Sequence, residues 1–194
     1  MNVSEAIRTR RSIGKVKPDA VPQELLERII EAGTWAPNHK LTEPWRFFVM
    51  QGEGRDVLGN ALGDIQAAGA GDTSEEGIAA ARESGRAKAY RAPVVIGVAV
   101  EPSTDPKVIE IEEYGAVFAA IQNMLLEIHG LGLGAVWRTG EPCFHALMNE
   151  AFGLSSNGKM LGFLYIGYPD MEPKQGKRQP AADKTVWLNG SQDA

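Results

Sequence analysis

The stretch Tyr114-Gly115-Ala116-Val117-Phe118-Ala119-Ala120-Ile121-Gln122-Asn123-Met124-Leu125-Leu126-Glu127-Ile128-His129-Gly130 runs directly into Leu131-Gly132-Leu133-Gly134-Ala135-Val136-Trp137-Arg138-Thr139-Gly140. The first half reads as a helix, from about Val108 to His129, that is apolar on nearly every side. Such a helix has no face to give to water, so it belongs in a core or an interface. The second half reads as a glycine-rich turn, a short buried strand over Leu133–Trp137 and a polar tip. In α/β proteins the end of a buried strand is where ligands gather.

Toward the N-terminus, Val3, Ala6 and Ile7 give a short helix over residues 3–10. A second helix opens at Pro22-Gln23-Glu24 and carries Leu25, Leu26, Ile29 and Ile30 on one face. The proline-framed loop Ala36–Pro44 leads into Trp45–Met50, an aromatic and β-branched strand. Residues 55–67 and 74–90 read as helices, the latter weakened by Gly77 and Gly85, and residues 70–90 leave open a lid or a variable insert. The apolar run Ala92–Val100 suits a strand buried on both faces. Beyond the central stretch, Glu141–Phe152 reads as one helix and Met160–Tyr168 as the last strand. Four strands with helices between them make an α/β or α+β sheet covered on both faces. The polar segment 169–194, with its apolar knot Val186-Trp187-Leu188, reads as an extension of a single domain over 1–194 that packs across a second subunit.

Composition narrows the function. With 43% hydrophobic and 23% charged residues, the chain can build a core, and a net charge of −5 argues against nucleic acid or an anionic membrane as its partner. The lone Cys143 excludes an internal disulfide, which fits a reducing compartment. Gln122, Asn123, Glu127 and His129 interrupt the central helix, which is therefore not a membrane span. With no basic-then-apolar leader pattern at Met1–Ala6, the expectation is a cytoplasmic protein.

Four groups of residues carry candidate chemistry. Arg10-Arg11-Ser12, at a helix end, can hold a phosphate through charge-assisted hydrogen bonds, the alternative being a solvated basic helix end. His39, in the loop Pro37-Asn38-His39-Lys40, can reach a ligand or lie exposed. In Trp137-Arg138-Thr139-Gly140 a flat ring, a guanidinium and backbone N–H groups meet at a rigid strand end. Gly130-Leu131-Gly132-Leu133-Gly134 follows a helix and opens a strand, the reverse of a dinucleotide fingerprint, and so reads as a tight turn. His129 reads as a cap on its own helix end, His145 has no visible partner, and Glu110, Glu112 and Glu113 read as a solvated first turn. No nucleophile–base pair, metal motif or phosphate loop is visible, so an enzyme of this kind needs a cofactor for its chemistry.

Taken together, these stretches resemble the FMN-dependent nitroreductase family, in its small NAD(P)H nitroreductase branch. Four segments match in order: Arg10-Arg11-Ser12; Ala36-Pro37…Glu43-Pro44-Trp45-Arg46-Phe47; Gly115…Gly132; and Lys177-Arg178-Gln179-Pro180…Val186-Trp187. The resemblance implies an α+β fold, with a mixed, mainly antiparallel central sheet flanked by helices, and an intertwined homodimer with two FMN sites at the subunit interface. It implies that Arg10, Arg11 and Ser12 bind the FMN phosphate and ribityl chain, with Lys177 or Arg178 adding charge. It implies that Trp137, Arg138 and Thr139 line the isoalloxazine, with a backbone N–H near Thr139 or Gly140 close to flavin N5, and that His39 reaches the flavin from the partner subunit. The family's usual Asn and Gln fall on Leu41 and Glu43, and the Arg of some relatives falls on Trp35, which can stack or pack but cannot pair with phosphate. The implied activity is hydride transfer from NADPH or NADH through flavin N5 to a nitroaromatic, quinone or similar small acceptor. The alternatives are another FMN reaction on the same fold (ene reduction, dehalogenation, flavin breakdown) and a flavin-binding protein without turnover.

Overall fold

A computed structural model describes residues 1–188. Its centre is a four-stranded sheet, β1 (Trp45–Gln51), β2 (Val94–Val100), β3 (Gly134–Arg138) and β4 (Lys159–Gly167), in the order β1-β2-β4-β3 with every neighbouring pair antiparallel. β2 sits inside this order and all seven of its residues are buried, which is why it has no polar alternation. Among the described residues six helices flank the sheet: α1 (Val3–Thr9), α2 (Gln23–Thr34), α3 (Asp56–Ala68), α4 (Glu75–Ala87), α5 (Glu110–Gly130) and α6 (Ala146–Ala151). Among the described residues no helix is long and apolar enough to cross a membrane.

The two sheet faces bury separate cores. On one, α5 and α2 pack through Val117, Ile121, Met124, Ile128 and Ile29 against Val94, Ile96, Val98 and Leu164. On the other, Leu58, Ala61, Met148 and Phe152 meet Val95, Ala99, Met160 and Phe163. The glycines that weakened the sequence reading of α4 have a packing role. A Cβ on Gly85 would lie 2.5 Å from the Leu62 carbonyl oxygen, and one on Gly63 2.8 Å from that of Arg82, so the α3 and α4 backbones meet where side chains are missing.

Three local expectations need correction. Glu141–Phe152 is not one helix: a short 3-10 turn over Glu141–Phe144 ends at His145, whose extended backbone starts α6. His145 does have a partner, since its Nδ1 accepts from the Leu147 N–H at 3.2 Å and caps that helix. Glu113 is not solvated; it is buried, because it lies one turn before Ala116 and Val117 on the core side of α5.

Candidate functional site

The chain leaves α1 through Arg10-Arg11-Ser12 and at once joins the outer edge of β3. Ser12 bridges Ala135 in parallel, and the Ile13 N–H donates to the Ala135 carbonyl at 2.8 Å. Gly134 permits this approach, since a Cβ there would stand 2.8 Å from Ile13. Two stretches more than a hundred residues apart thus share one edge. From Ala135 to Thr139 the strand runs about 13 Å, a span suited to an extended phosphorylated ligand.

At the α1 end the structure gathers positive charge. Arg11 spends its guanidinium on architecture: Nη1 donates to the carbonyls of Arg8 and Arg10, each at 2.7 Å, and Nε to that of Lys174 at 3.0 Å. Arg10 has no ion-pair partner among the described residues. Burial, then the nearby charges of Arg11 and Arg178, push its pKa below the ordinary guanidinium value. His129 does not cap its own helix; its Nε2 lies 2.8 Å from Thr9 Oγ1. Burial first, then Arg10 and Arg11, lowers its pKa.

At the other end, Trp137 and Arg138 leave opposite faces of β3, as alternation on a strand requires. Trp137 turns to the α5 side, where its ring centroid lies 5.9 Å from that of Phe118 and its Nε1 donates to the Leu161 carbonyl at 3.2 Å. The bulge in β4 makes room for it: Gly162 has φ +141°, and a Cβ there would stand 2.8 Å from Trp137 Cδ1. Arg138 turns the other way, with its guanidinium carbon 5.4 Å from the centre of the Tyr165 ring. The two side chains expected to line one ring therefore do not share a surface. Thr139 and Gly140 end the strand exposed, and Gly140 has φ +113°, a conformation that glycine adopts without a steric penalty.

The His39 loop is held under tension. Lys40, Leu41 and Glu43 all have left-handed backbones, with φ of 59°, 55° and 48°, each costing on the order of 1 kcal/mol. Clamps hold it: Asn38 Oδ1 accepts from the Glu43 N–H at 3.0 Å, and Thr42 Oγ1 donates to the buried Glu113 carboxylate at 2.5 Å. The other Glu113 oxygen accepts from the Ser103 N–H at 3.1 Å. His39 Nδ1 lies 2.5 Å from Glu112.

Glu112 stands at the start of α5, whereas His129, beside Thr9 and Arg10, stands at its end. Seventeen helical residues separate them by about 26 Å. One chain therefore does not bring His39 to the Arg10–Ser12 end. Trp35, 80% exposed, lies between these levels, over a groove formed with Val3, Asn123 and Leu126. Outward from α5 runs an exposed stripe at helical spacing, Ile111, Gly115, Phe118 and Gln122, and Phe118 is also the residue that touches Trp137. The end of the 169–194 segment that is described leaves Val186, Trp187 and Leu188 exposed; residues 189–194 lie outside the described residues.

Sequence reasoning missed Glu113, Lys88 and Arg91. Glu113 was legible, because it falls in register with the buried positions of α5. Lys88 and Arg91 carry no such signal and become neighbours of Arg138 only through the fold.

The profile of the Nitroreductase family matches residues 7–168. The chain is 33% identical over 172 residues to a protein of Escherichia coli K12 named "Putative NAD(P)H nitroreductase YdjA", covering 89% of this chain and 91% of that one. It is 30% identical over 181 residues to YfhC of Bacillus subtilis, which carries the same NAD(P)H nitroreductase designation, covering 93% and 91%. Among solved structures, a nitroreductase-like family protein from Bacillus cereus superposes with a TM-score of 0.82 at 33% identity, over 98% of this chain and 97% of that one. A Desulfovibrio desulfuricans protein crystallised in complex with FMN superposes with a TM-score of 0.70 at 29% identity, over 98% and 99%.

Proposed function

Because the chain belongs to the nitroreductase family, we propose that it is an FMN-dependent NAD(P)H oxidoreductase that works as a homodimer. The observation that carries this reading is Arg10, without an ion-pair partner among the described residues and crowded by Arg11 and Arg178 beside the Ser12–Ala135 bridge. Such a cluster suits a dianionic phosphate, which relieves the mutual repulsion of the guanidinium groups.

The other residues fit the rest of that cofactor. Ser12 offers its hydroxyl to the ribityl chain. Trp137 and the backbone of Arg138, Thr139 and Gly140 flank the flat ring, with the Arg138 guanidinium acting at a distance through its charge. The bound flavin supplies two-electron hydride chemistry between NADPH or NADH and a nitroaromatic, quinone or similar conjugated acceptor. The chain's own task is to bind, orient and leave one ring face open.

Distance favours a dimer. His39 lies too far along the molecule to join Arg10 within one chain, yet an antiparallel pairing of two α5 stripes carries it to the Arg10–Ser12 end of the other protomer. The segment 169–194 then covers its Val186-Trp187-Leu188 knot on that neighbour. We place the protein in the cytoplasm, as its single thiol suggests.

Freshly purified protein should show oxidised-flavin absorbance that bleaches promptly on anaerobic addition of NADPH or NADH. Absorbance that neither cofactor bleaches would point to a flavin-binding protein without turnover. No flavin bands, even after incubation with FMN, would sink the reading.

A further inference from the structure

On the sheet face opposite Trp137, beneath the tip of β3, lies a cavity of about 240 Å³. Lys88, Arg91 and Arg138 line it on one part, and Leu62, Phe163 and Tyr165 on another. Among the described residues no aspartate or glutamate lines it. Arg138 Nε is buried and has no hydrogen-bond partner among the described residues. Lys88 donates only to the neutral carbonyl oxygen of Gln66. The two acids of α3 are already taken, Asp56 by Arg86 and Tyr90 at 3.1 and 2.8 Å, and Asp64 by Arg82 at 2.9 Å.

The remaining titratable groups of the lining supply no counter-charge. Burial pushes the Cys143 thiol up to about 11 and the Tyr165 hydroxyl up to about 12, so both are neutral near pH 7. Three cations thus face a partly apolar hollow to which no described residue brings a negative charge. A buried guanidinium nitrogen without a partner costs free energy that an incoming anion would offset.

We propose that this cavity binds a small organic acid, with its carboxylate on Arg138, Arg91 and Lys88 and an apolar or aromatic body against Leu62, Phe163 and Tyr165. Volume and lining favour a benzoate-sized molecule over a bare inorganic ion, since half of the named walls are apolar. The site is distinct from the proposed flavin site: its side chains lie on the other face of β3. It adjoins that site at Arg138 and Thr139, which line the cavity and which the proposed function also sets beside the flavin.

The test is calorimetric titration of the protein, loaded with FMN so that the Arg10 cluster is filled, using sodium benzoate and, separately, inorganic phosphate. Saturable benzoate binding below about 10 mM, weakened about tenfold or more in both Arg91→Met and Lys88→Met, supports the proposal. These two positions lie outside the proposed flavin-binding set, and each variant's circular dichroism reports its folding. Saturable phosphate binding without benzoate binding would overturn the organic-acid assignment. So would no saturable heat with either probe, or benzoate binding that both variants retain. Flavin content, read from the visible spectra of the same samples, is scored separately. A chain that takes up no flavin yet binds benzoate would sink the proposed function and leave this site standing.

Discussion

The two sides of the sheet are finished to different degrees. On one, α3 lies against the sheet and α4 closes over it, the two backbones drawn together at Gly63 and Gly85. On the other, α5 lies against the sheet and α2 covers part of it, but the Ile111-Gly115-Phe118-Gln122 stripe stays open. The helix with the larger share of apolar residues has the less complete cover. The difference teaches that the first layer is assembled within one chain, whereas the second leaves an exposed stripe, the surface on which the proposed dimer would close.

Each prediction strains one side of that contrast. The largest effect is expected at the closed layer. Gly85→Val forces a side chain into backbone 2.5 Å away and should cost about 3 kcal/mol of stability in chemical denaturation. A loss under about 0.5 kcal/mol would mean that α4 is not held there and would erase the contrast.

On the open side, Phe118→Glu should leave the helical circular dichroism intact yet weaken self-association about 100-fold, or about 2.7 kcal/mol, by sedimentation. A wild-type chain that sediments as a monomer at all concentrations would refute the proposed dimer.

Arg10→Ala should weaken FMN binding about tenfold, about 1.4 kcal/mol, in a fluorescence titration. Because Arg11 is spent on backbone carbonyls, its removal should damage folding as well, and the two variants separate binding from architecture.

The smallest effect is protonic. The pKa of His129 is lowered in the folded chain, so the unfolded chain takes up its proton more readily. The stability tied to that difference is complete above the ordinary imidazole value and is lost as pH falls through it toward the lowered value. His129→Gln should flatten this dependence in the window just below the ordinary imidazole value. A wild-type stability that rises on acidification through that window would contradict the crowding of His129 by Arg10 and Arg11.

Much of this was legible beforehand. The apolar run at Val94–Val100, the stripe of α2 and the turn at Gly132 each follow from local periodicity or a single backbone requirement. One sequence reading failed for a reason the sequence already held: Glu113 shares the helical register of Ala116 and Val117. Trp137 and Arg138 are adjacent on a strand, so period-two alternation already separates their side chains. The break at His145 was harder to see, because a residue that can continue a helix can also cap one, and only its bond to Leu147 decides.

By itself, then, the sequence determined the elements, their order and the burial of the central strand, because these depend on patterns within a few residues of one another. Only the tertiary structure decided which charges meet. Arg10 joins Arg178, Ser12 joins Ala135, and Lys88 and Arg91 join Arg138 across tens to hundreds of residues. Local periodicity says which face of an element is buried. It does not say what lies opposite, and the chemistry of a site depends on what lies opposite.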